Sequence, residues 1–119
     1  MSRTDSTSRA DVERVRDRDL SAWLTTSTLA VLGCGAEWHG PSRMMMAAIA
    51  PLSERYPGRV QVAHLDTDVS PDATRRYDLR SIPTVLLFDR GRAVGRVVGL
   101  TSLADVCSAI ERQLAAIAN

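Results

Sequence analysis

The stretch AEWHGPSRM, residues 36–44, decides how this chain is read. It follows the apolar run TLAVLGC (28–34), which is bounded by Thr/Ser and Gly and suits a strand buried on both faces. It opens a helical pattern that runs from about Pro41 to Tyr56, where Met45, Ile49 and Leu52 recur at helical spacing. Pro41 belongs in the first turn of that helix, where its missing N–H costs nothing. Pro57-Gly58 ends it.

Working outward, VQVAHLD (60–66) alternates like a strand, and Ser70-Pro71-Asp72 opens a short helix through Tyr77. TVLLF (84–88) reads as a central strand, and Asp89-Arg90-Gly91 as a hairpin turn into RAVGRVVG (92–99). A last helix starts near Ser102 and buries Leu103, Val106, Ile110, Leu114 and Ile117. Upstream, Asp19 is placed as the N-cap of a short helix burying Leu20, Trp23 and Leu24. Val12 and Val15 fit either an edge strand or a helix start. Residues 1–10, rich in Ser, Thr, Arg and Asp, read as a disordered tail. The order β-α-β-α-β-α-β-β-α predicts an α/β domain over residues 11–119, with a mixed central sheet covered on both faces. Repeats, linkers and a second domain are absent from the pattern.

Composition narrows the function classes. The 119 residues suffice for one core without metal or disulfide support. A formal charge of +1 supplies no strong field toward nucleic acid or anionic membrane. The fifteen basic residues are all arginine, scattered from Arg3 to Arg112 rather than gathered in a stripe, and fit the codon bias of a GC-rich genome. The N-terminus has no apolar core of the signal-peptide kind, and no run of about 18 apolar residues exists. A cytoplasmic location is therefore expected, with Cys34 and Cys107 as small buried hydrophobes. Their spacing matches no zinc pattern, and neither a metal nor a cofactor is implied.

The turn itself resembles the active-site turn of the thioredoxin family, which usually reads W-C-G-P-C at the start of a long helix. Ser81-Ile82-Pro83-Thr84 resembles that family's cis-proline loop, and Val98-Gly99 its third loop beside the site. The three motifs keep family spacing from about residue 12 to the C-terminus. The resemblance implies a three-layer α/β/α thioredoxin-like fold with Ile82–Pro83 cis.

The departures bear on function. His39 stands where the family has its nucleophilic cysteine, and Ser42 where it has the resolving one. The family's buried acid aligns with Gly33, its neighbouring lysine with His64, and an aromatic near the site with Gly35. Thiol exchange needs a thiolate at the helix N-terminus and a second thiol to release the mixed disulfide. His39 and Ser42 supply neither, so enzymatic thiol–disulfide exchange is not expected. What the resemblance retains is a groove. It predicts a redox-inactive module, an adaptor or dedicated chaperone, that binds a protein or extended peptide through Trp38, His39, Gly40, Pro41, Ser42, Ile82, Pro83, Val98 and Gly99. The oligomeric state is not readable.

Other chemistry is weaker. His39 and Ser42, three apart at a helix start, could face each other as base and nucleophile, but Glu37 is the sole nearby acid and should point to solvent. Met44, Met45 and Met46 suit Cu(I) by ligand type, yet consecutive helical residues diverge by about 100°. A Cys34–Cys107 bridge is conceivable because helices pack on the sheet. His64 reads as an interior histidine.

Overall fold

The computed structural model describes residues 12–25, 28–100 and 102–118; the tail assigned to residues 1–10 lies outside them. A five-stranded sheet runs in the order β1-β3-β2-β4-β5. Its strands are β1 (Glu13–Val15), β2 (Leu29–Gly35), β3 (Val60–Asp66), β4 (Thr84–Asp89) and β5 (Arg92–Val98). The first three are mutually parallel, and β4 and β5 are antiparallel, giving the mixed sheet that the element order predicts. Val15 thus ends a short edge strand.

Helices α1 (Asp17–Trp23), α2 (Gly40–Ile49), α3 (Leu52–Arg55), α4 (Pro71–Arg76) and α5 (Leu103–Ala118) complete three layers. Alternation along the strands builds two cores. Val31, Val62, Val85 and Leu87 meet Met45, Ile49, Leu52, Val106 and Ile110 of α2, α3 and α5. Leu32, Leu65, Leu86 and Phe88 meet Leu20, Trp23 and Ala73 of α1 and α4 on the opposite face.

Local chemistry corrects three expectations. Asp19 is not an N-cap: α1 begins at Asp17, and Asp19 reaches back to accept the Arg16 backbone N–H at 3.1 Å. The helix expected over 41–56 is two helices. Pro51 has no N–H to bond the preceding turn, so α2 stops at Ile49 and the chain re-enters as α3. Ile117, expected to be buried, is 39% exposed. Asp17 also has a task invisible in the pattern. Its carboxylate accepts the backbone N–H groups of Asp72 and Ala73 at 2.9 and 2.8 Å, capping α4 from a distant helix.

The β4–β5 hairpin turns through Arg90 and Gly91 at φ 54° and 85°, the pair of positive values that a tight two-residue turn demands.

Candidate functional site

One end of the sheet gathers the three motifs. Strand β2 ends at Gly35 and leads through the turn at Glu37–Trp38 into α2, whose N-cap is His39. Cys34 lies opposite Thr84 in the β2–β4 ladder, so the loop before β4 stands beside that turn. Thr84 in turn pairs with Val98, and the Gly99 N–H donates to the Pro83 carbonyl at 2.7 Å. The Ile82–Pro83 peptide is cis. Trp38, His39, Gly40, Pro41, Ile82, Pro83, Val98 and Gly99 therefore occupy one end of the molecule.

They differ in exposure. Trp38 is 68% exposed, Val98 51% and Leu100 49%, an apolar rim. The Trp38 indole N–H donates to Asp68 Oδ2 at 2.7 Å, and its ring meets His39 edge-on. Asp68 escaped the sequence reading, since nothing in a 3₁₀ turn at Thr67–Val69 marks it as a partner of Trp38. Pro83 is buried. Ser42 corrects an expectation: it is fully buried and cannot touch a partner. Its hydroxyl sits 2.9 Å from His39 Nδ1, so it orients the imidazole instead. The same burial removes Ser42 as a nucleophile, and Glu37 is engaged with Arg14 in an ion pair. Among the methionines, Met44 is exposed while Met45 is buried, as helical divergence requires.

A family model named Thioredoxin matches residues 11–112. The chain belongs to the thioredoxin family. It is 38% identical over 79 residues to a thioredoxin of Synechocystis sp., an alignment covering 66% of this chain and 74% of the relative. A chloroplastic M-type thioredoxin of Pisum sativum is 32% identical over 108 residues, covering 87% of this chain and 61% of the relative. The fold also resembles a solved chain from work on the thiol-resolving mechanism of yeast mitochondrial 1-Cys peroxiredoxin via glutathione/thioredoxin systems. There the TM-score is 0.77 at 24% identity, covering 88% of this chain and 98% of that one.

Within the thioredoxin fold, this chain's two cysteines stand apart from the turn. Cys34 and Cys107 are free, buried, and packed in cores on opposite faces of the sheet, so the bridge considered above does not form. Burial pushes the Cys34 thiol up to about 12, which keeps it protonated and unreactive at neutral pH. Beneath the turn, the substituted positions interlock. A Cβ on Gly33 would stand 2.7 Å from Ile49 Cδ1, so a core methyl fills the space where the resemblance puts an acid. A Cβ on Gly35 would meet Ser42 Oγ at 2.4 Å. His64 lies beside Gly33 in the β2–β3 ladder. Burial lowers its pKa, and its Nε2 is buried with no hydrogen-bond partner.

Proposed function

We propose that this chain is a redox-inactive thioredoxin-family module that binds an extended protein segment, as an adaptor or dedicated chaperone. One observation carries the reading. The positions for an attacking and a releasing sulfur hold His39 and a buried Ser42 bonded to each other, while the rim around them stays apolar and open. Sulfur exchange needs a reachable thiolate, and the buried Cys34 and Cys107 do not offer one. Partner binding needs only the rim and the strand-like backbone near Ile82. An exposed apolar patch of this kind suits a protein contact.

The relatives carry the name thioredoxin, which raises dithiol reduction as the competing activity. Insulin reduction with dithiothreitol separates the two: the wild-type chain is expected to give turnover no better than buffer. Restoring both sulfurs with His39→Cys and Ser42→Cys is expected to give only a weak reductase, because Ile49 fills the place of the proton acceptor. Wild-type turnover at the level of a dithiol thioredoxin overturns the proposal. Quantitative pull-down from the native host tests binding directly. Partners captured by wild type are expected to be lost with Trp38→Ala and with Val98→Asp; a partner set unchanged by both removes the groove from the reading.

A further inference from the structure

We infer that a cleft beneath α2 is a binding site for a small organic anion with an apolar body. The cleft has a volume of about 1160 Å³, above the usual range of roughly 300–1,000 Å³ for ligand pockets. It is distinct from the rim at Trp38 and does not rest on the partner-binding reading.

Its position follows from topology. The chain leaving β2 enters α2 on one face of the sheet, while the chain leaving β3 enters α4 on the other. Strand ends that part in this way open a crevice at their carboxyl ends, where open α/β sheets hold ligands. The sequence then keeps the crevice empty. Ala47 and Ala50 are the small residues that α2 and its cap present to it.

Three features give the space a chemical preference. His64 lies on the floor with Nε2 buried and no partner in hydrogen-bond geometry, while the nearby Met46 backbone only partly offsets the effect of burial on the ring. Its lowered pKa keeps the ring neutral, so it would meet a hydroxyl or amide rather than an ion. Met46 and Ala47 offer apolar surface along one wall. At the mouth, four arginines face three carboxylates. Arg14 pairs with Glu37, and Arg43 donates to the Glu37 carbonyl at 2.6 Å. Asp19 and Asp66 accept backbone N–H groups. Arg16 and Arg18 are left exposed, with no carboxylate partner among the described residues. They are the cations available to a carboxylate, sulfonate or phosphate.

The test uses 1-anilinonaphthalene-8-sulfonate as the probe, followed by fluorescence and by NMR of the imidazole resonances. Saturable one-site binding that shifts the His64 signals is expected. Ala47→Phe, which fills the cleft from an exposed helical position, should weaken it about tenfold, or about 1.4 kcal/mol. Arg16→Ala with Arg18→Ala should do the same without altering the floor. Arg92→Ala with Arg112→Ala, an equal loss of charge on exposed residues outside the cleft, should leave the affinity unchanged. Absence of saturable binding overturns the inference. So does binding that leaves His64 unmoved, or that is indifferent to Ala47→Phe. Pull-down partners should be the same for wild type and the cleft variants, which separates this outcome from that of the rim.

Discussion

The rim and the floor of the site obey different rules. At the rim, Trp38, Val98 and Leu100 stand in solvent. At the floor, Gly33, Gly35, Ser42 and Ile49 fit closely: one absent side chain makes room for a methyl, the other for a hydroxyl. An open apolar rim and a closely packed floor are thus separate layers of one fold. The second can be rebuilt while the first keeps its form.

The largest effect should come from forcing the family's acid back into the floor. Gly33→Asp drives a carboxyl into the space of Ile49 Cδ1, beside the apolar core. Overpacking and an unpaired buried polar group should together cost about 3 kcal/mol or more, read by urea denaturation. A loss under about 1 kcal/mol would show that the floor is not packed around glycine. Gly35→Ala is next, at about 1–3 kcal/mol, because its methyl meets Ser42. Adding Ser42→Gly should return more than half of that loss, and strict additivity of the two changes would break the coupling. The rim supplies the contrast. Trp38→Ala removes one exposed hydrogen bond to Asp68 and should cost about 1 kcal/mol or less.

How far the sequence reached follows the same division. Strands and most helices were legible because their patterns repeat over several residues, as in TVLLF and the spacing of Val106, Ile110 and Leu114. The turn and the cis-proline loop were legible through their resemblance to motifs of the thioredoxin family, not through any local period. What escaped depends on single long-range meetings. Asp17 caps a helix 55 residues away, Asp68 holds Trp38, and Ser42 turns inward against Gly35. No local period records such pairings. The cleft escaped for a related reason: Arg14 and Arg16 on one arm meet Met46 and Ala47 on another only after β1 has paired with β3.

The smallest effect is the most discriminating, since it asks whether the floor is dry. Burial lowers the folded-state pKa of His64 below its ordinary value of 6.5. Above that value the ring is neutral in both folded and unfolded chains, and proton uptake contributes nothing to stability. As the pH falls below it, the unfolded chain takes a proton that the folded chain refuses, so stability declines until the folded pKa is passed. His64→Gln lacks this titration, while His39 and the carboxylates remain in both proteins. The fall in Tm between about pH 7 and about pH 5 should therefore be shallower for His64→Gln than for wild type. Parallel curves would mean that His64 is as wet as the rim, and that the floor differs from the rim in packing alone.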